Sequence, residues 1–134
     1  MKKIIFVFTF VLVTLIGVSA QRIVKSYGCK NAFQLSSMGM QYTTIPSYGT
    51  WIEVYDNYIL RCGTKYVFSY VDDNGNNVYL YHKTMDNRER IHLSPDYSEY
   101  SRMWSFSFLN QTVWNQEDWV WIGDGTSPGK NYGK

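Results

Sequence analysis

Residues 66–71 (Tyr-Val-Phe-Ser-Tyr-Val) and 78–82 (Val-Tyr-Leu-Tyr-His) flank a polar centre, Asp-Asp-Asn-Gly-Asn-Asn at 72–77. Runs of Val, Tyr and Phe about such a centre are the mark of two β-strands and a tight turn. Asn74-Gly75 predicts a two-residue type I′ turn, because both central residues of that turn need positive φ. The turn would set Val71 opposite Val78, Tyr70 opposite Tyr79, Ser69 opposite Leu80 and Phe68 opposite Tyr81. Alternate residues of a strand face opposite sides. One face then carries Val67, Ser69, Val71, Val78, Leu80 and His82, and the other an aromatic ladder of Tyr66, Phe68, Tyr70, Tyr79 and Tyr81. Both faces are too apolar for one to stand wholly in water, so either the sheet is covered on both sides or the ladder is a working surface.

The same patterning predicts a preceding hairpin, residues 51–55 and 58–62 about Asp56-Asn57, so that 51–84 forms a four-stranded antiparallel meander. Further strands are expected at 22–27, at 104–109, where Trp-Ser-Phe-Ser-Phe alternates, and at 119–122. Segments 30–49 and 85–103 read as irregular, the first as a long covering loop with room for one short strand or helical turn, the second with a short helix starting at Ser94-Pro95. The fold class is therefore all-β: a small antiparallel meander closing as a β-sandwich or a partly open barrel, with one short helix.

The longest apolar stretch is of another kind. Lys2 and Lys3 precede a nearly unbroken apolar run from Ile4 to Val18, and Val18-Ser19-Ala20 presents small residues where a signal peptidase cleaves. These are the three parts of a secretory signal peptide. The domain layout is then a signal at 1–20, one all-β domain at 21–122 and a Gly-rich flexible tail at 123–134. The expected location is secreted or periplasmic, in a bacterial host. Removing the signal removes two lysines and no acid, which takes the formal charge from +2 to zero. A neutral domain lacks the electrostatic footprint for nucleic acid or an anionic membrane, and no second apolar run is long enough to span a bilayer.

In an oxidising compartment, Cys29 and Cys62 are expected to form a disulfide, stabilising the fold by roughly 3–4 kcal/mol. No catalytic motif is present, so the chain reads as a non-enzyme with no cofactor and no metal. Of the two histidines, His82 falls on the aliphatic face of the hairpin and reads as a core residue. His82, Asp86, Glu89 and His92 suit metal ligation by type but not by spacing. Asp72 to Asn77 is oxygen-rich yet lacks the glycine and glutamate positions of a calcium loop. Asn110-Gln111-Thr112 is a glycosylation acceptor only in a host with that machinery.

Gly49-Thr50-Trp51-Ile52-Glu53-Val54 resembles the Gly-x-Trp strand that opens a lipocalin barrel. The resemblance covers six residues and implies a barrel, a fold associated with small apolar ligands.

The aromatic content then decides the functional expectation. Five tryptophans and twelve tyrosines exceed what a core of this size needs. The expectation is a non-catalytic binding module that recognises a glycan or an extracellular protein through rigid aromatics. Its candidate contacts are Tyr66, Phe68, Tyr70, Tyr79 and Tyr81, with Trp114 and Trp119, which flank Asn115 to Asp118. The alternatives are a structural or oligomeric envelope protein and an inhibitor of an extracellular enzyme.

Overall fold

In the computed structural model, which describes residues 23–125, the chain is built from nine antiparallel strands. They are β1 (Ile23–Ser36), β2 (Gly39–Tyr42), β3 (Thr50–Val54), β4 (Tyr58–Arg61), β5 (Thr64–Val71), β6 (Asn77–Tyr81), β7 (Glu89–Leu93), β8 (Glu99–Phe108) and β9 (Gln111–Asp124). The signal segment 1–20 and most of the expected tail lie outside the described residues. From β3 to β9 each strand pairs with the next, and β9 returns to pair with β1 from Lys25↔Asp124 to Leu35↔Trp114. The sheet thus closes as an eight-stranded meander barrel, which leaves the ring itself without edges. The expected small all-β antiparallel meander is thus present, and of its two forms it takes the barrel, closed rather than partly open.

β1 is long enough to serve two neighbours along one edge. Its first half pairs with β3 (Ile23↔Val54 to Tyr27↔Thr50) and its second half with β2 (Phe33↔Tyr42 to Ser36↔Gly39). β2 is therefore an extra strand beside the ring. It extends a four-stranded apron, β2-β1-β9-β8, beyond one mouth of the barrel. The barrel implied by the Gly-x-Trp resemblance is present, although that strand is β3, the second of the ring, and does not open it.

Segment 30–49 is not mainly a loop, because residues up to Ser36 belong to β1 and 39–42 form β2. Their alternation is weak in sequence, and the pairing with β9 supplies what propensity does not. Segment 85–103 holds β7 and the start of β8. No helix forms at Ser94-Pro95: a turn bonds Tyr97 N to Ser94 O, and the Ser94 hydroxyl accepts from Glu99 N instead of capping a helix. Among the described residues there is no helix at all, hence none long and apolar enough to cross a membrane.

The hairpin at Asp56-Asn57 forms as expected, with Val54↔Ile59 and Tyr55 N bonded to Tyr58 O. The β5–β6 hairpin differs by one residue. Gly75 N donates to Asp72 O and Asp72 N to Asn76 O, with Gly75 at φ 84°, so the loop has three residues and not two. Asp72 enforces it, because its Oδ1 accepts from the backbone N–H of both Asn74 and Asn76. The pairs become Tyr66↔Tyr81, Phe68↔Tyr79 and Tyr70↔Val78, with Ser69 as a β-bulge. That bulge moves Tyr70 off the aromatic ladder to the opposite side of the sheet.

A second bulge has a larger effect. Cys29 pairs with Trp119 but Asn31 with Asp118, leaving Lys30 as an extra residue in β1. Before it, Tyr27 and Cys29 point inwards. After it, Ala32 and Gln34 do, and Phe33 and Leu35 are turned outside.

The barrel centre is filled by Tyr27, Ile52, Val54, Ile59, Tyr66, Tyr79, Ile91, Leu93, Tyr100 and Trp119, all buried. Tyr100 stacks on Trp119 at 6.0 Å between centroids and meets the edge of Tyr27 at 4.8 Å. Alternating strands deliver one such side chain every second residue, as inward positions of a small barrel require.

Two hairpin tips have both central residues at positive φ: Cys62 and Gly63 (49° and 87°) between β4 and β5, and Leu109 and Asn110 (51° and 62°) between β8 and β9. Leu109 is poorly suited to this region and its side chain is exposed. Replacing Leu109-Asn110 by Asn-Gly is expected to stabilise the barrel by about 1 kcal/mol, a rise of at least ~4 °C in Tm. Calorimetry checks this, and an unchanged or lower Tm would show that the turn carries no strain.

Candidate functional site

The expected contact residues separate into three groups. Tyr66, Tyr79 and Trp119 are buried in the barrel core, so no external platform of these residues forms. Tyr81 is half-buried against the same core, and Phe68 lies across from Tyr79 at 5.7 Å. Tyr70, displaced by the Ser69 bulge, stands outside and donates to Asn87 Oδ1 at 3.3 Å. Trp114 alone of the set lies in a groove on the outer wall. The ladder is real, but a closed barrel turns it inwards.

Inside, towards the mouth under the apron, the core becomes ionic. Arg61 and Glu117 lie 3.6 Å apart, and Arg102 approaches Glu117 at 3.8 Å and Glu89 at 3.3 Å. The Arg61 and Glu117 side chains are only 11% and 12% exposed. Arg61 Nε donates to the Tyr100 hydroxyl at 3.0 Å, which shares a 2.6 Å hydrogen bond with Thr50. Tyr66 donates to Glu89. Both arginines also stack, Arg61 over Trp119 and Arg102 over Trp104 at 4.0 Å. Glu117 Oε1 has no hydrogen-bond partner among the described residues, so its two contacts are Coulombic. Two arginines and two glutamates make this layer formally neutral. Of these four, sequence reasoning singled out only Glu89, and as a residue of metal-ligand type; the ion-pair layer itself has no local signal, because its members come from four strands.

The cysteines are free thiols, which corrects the expected Cys29–Cys62 disulfide. Cys29 lies on β1 and Cys62 in the β4–β5 turn, with β3 between their strands. Two strand spacings are roughly 9–10 Å, beyond the ~7 Å Cα separation a disulfide tolerates. Burial pushes the Cys29 thiol up to about 11 and moves Cys62 in the same direction. Both are therefore neutral and poorly nucleophilic.

The outer wall carries the rest of the chemistry. Asp72 Oδ2 bonds His92 Nδ1 at 2.7 Å, and His92 Nε2 accepts from Arg90 Nε at 2.9 Å. The His92 bond holds the Asp72 carboxyl below the usual range. Ser101 lies directly across from His92, so an acid, an imidazole and a hydroxyl share one row. They do not form a nucleophile and base: the imidazole acceptor is taken by Arg90, and Ser101 donates to Asp118 at 2.7 Å. The four residues of metal-ligand type are not brought together. Glu89 faces the interior, His92 the exterior, and Asp86 pairs with Arg88. His82, expected in the core, is exposed just beyond β6, its Nδ1 near Lys65 O.

On the apron the outer side is apolar. Arg90, Met103, Gln116, Phe33 and Tyr42 form one cross-strand row over β7, β8, β9, β1 and β2, and Trp114, Leu35 and Met40 the next. Phe33, Leu35, Met103 and Trp114 line a groove of about 270 Å³, with Arg90 and Gln116 at its rim. Arg90 lies over the Trp114 ring at 5.1 Å. Apart from Trp114, sequence reasoning missed these residues; the signal that reveals them is the Lys30 bulge, which is invisible without the β1–β9 register. No family model, curated protein or solved structure matches the chain.

Proposed function

We propose that the protein is a non-catalytic binding module that meets an extracellular protein through the outer face of the apron. The observation that carries this reading is the uncovered apolar patch: Leu35, Met40 and Tyr42 are 48%, 57% and 72% exposed beside the groove of Phe33, Met103 and Trp114. Contiguous apolar surface of this kind, rimmed by polar groups, is characteristic of recognition sites. Aliphatic Leu and Met lining favours a peptide side chain over a sugar, which needs flat aromatic faces and a dense set of polar partners. The barrel centre is occupied by the protein's own side chains, which argues against a carrier of small apolar ligands. The three-part segment at residues 1–20 supports export as the setting.

A random peptide display library and a glycan array, each probed with the wild type and with Leu35→Glu, test this. Enrichment of apolar peptides that Leu35→Glu abolishes is the expected result. Selective glycan binding instead, or no binding to either, would overturn it.

A further inference from the structure

Resting on that reading, we infer that the groove takes the C-terminal end of a polypeptide: an apolar last side chain against Phe33, Leu35, Met103 and Trp114, with its free carboxylate on Arg90. Arg90 is the cation of the groove, and among the described residues no carboxylate lies within ion-pair distance of it. Its guanidinium is nevertheless fixed. Nε donates to His92, Nη1 donates to Asn87 O at 2.6 Å, and the plane lies over Trp114. His92 is itself held by Asp72, so a three-residue chain orients the head group. Among the described residues Nη2 has no partner, and Arg90 lines the same groove as Phe33, Leu35, Met103 and Trp114. An oriented, unpaired guanidinium beside an apolar wall matches a carboxylate joined to an apolar group.

Two observations favour a peptide end over a fatty acid. The groove, at about 270 Å³, sits just below the ~300 Å³ where sites for drug-sized ligands begin, and suits one or two side chains better than a long acyl chain. Gln116 at the rim spends its amide nitrogen on Asp118, leaving Oε1 as an acceptor. A peptide N–H satisfies that acceptor, whereas an acyl chain leaves it unmet.

The test uses the full chain and four probes: acetyl-Gly-Ser-Gly-Phe as free acid, the same peptide as C-terminal amide, its Asp-terminated analogue, and decanoate. Titrations follow tryptophan fluorescence or NMR shifts. The free acid is expected to bind at least tenfold more tightly than the amide and the Asp-terminated peptide. Arg90→Gln should erase the difference between acid and amide, and Arg90→Lys should restore part of it. Equal binding of acid and amide, both lost in Leu35→Glu, overturns the carboxylate anchor while leaving the binding face intact. Preference for decanoate overturns the peptide end. A dimer by light scattering that Leu35→Glu dissolves shows a second copy to be the occupant and overturns the proposal. Failure of every probe, together with an empty display selection, removes the face itself.

Discussion

Glu117→Gln should lower the stability of the barrel by about 3 kcal/mol, although the two side chains are nearly the same size. The carboxylate lies between Arg61 and Arg102 in a layer that is largely out of water. Removing one member of a buried charge set leaves the others uncompensated, at a cost of ~3–5 kcal/mol, and the partial exposure of Arg102 places this case at the lower end. Against a typical total of ~5–15 kcal/mol for a domain, that is a large fraction. Arg61 is the more affected partner, since beyond Glu117 its support comes from the neutral Tyr100 hydroxyl and from ring stacking, whereas Arg102 keeps Glu89. Urea unfolding with an unchanged m-value measures the loss. A change below about 1 kcal/mol would show that water reaches this layer and screens it as it does a surface pair.

Raising the pH above about 10 should unfold the protein within roughly two units. Tyr27, Tyr66, Tyr79 and Tyr100 are buried, and desolvation is the leading cause pushing each hydroxyl upwards, Tyr100 to about 12. In the unfolded chain these phenols ionise near 10. The folded state therefore holds more protons than the unfolded state above that pH, and stability falls as the pH rises. Their contribution is complete below pH ~10 and is lost between there and the folded values. Tyr27, Tyr66 and Tyr100 each cost about 1.4 kcal/mol per pH unit in that window, about 4 together, and Tyr79 acts in the same direction. Denaturant midpoints from pH 8 to 12 at fixed ionic strength follow the decline, and phenolate absorbance should rise cooperatively with it. Gradual ionisation of all twelve tyrosines without unfolding would contradict the closed core.

The barrel was largely legible where local chemistry decides structure. Asp56-Asn57 placed one hairpin correctly, and the apolar alternation of 51–84 placed four strands of the meander. Legibility failed where a distant partner decides. Asn31 to Leu35 and Trp114 to Asp118 lack strong strand character alone, and are extended because they pair with each other. The tyrosine ladder was found, but which side of it meets solvent depends on closure of the ring by β9, a contact nearly 90 residues away in sequence. Asp72 offers a smaller instance: its two backbone bonds override the turn that Asn74-Gly75 prefers. The ionic layer was unreadable for a similar reason, since Arg61, Glu89, Arg102 and Glu117 belong to four different strands. Phe33 and Leu35 looked like loop residues, and it is the outward turn after Lys30 that makes them surface.

That turn has a consequence for how this protein can change. Most deletions are tolerated in loops and act on length alone. Here a deletion in mid-strand is absorbed as well: without Lys30, Cys29 would still face Trp119 and Asn31 would still face Asp118, so plain alternation would keep Ala32 and Gln34 inside and Phe33 and Leu35 outside. What would reverse the sides is a regular pairing that takes Lys30 into the ladder, which would carry Phe33 and Leu35 against the ionic layer. The apolar patch is thus held by the register that β1 and β9 share, and the spare residue at position 30 can be lost while the face remains.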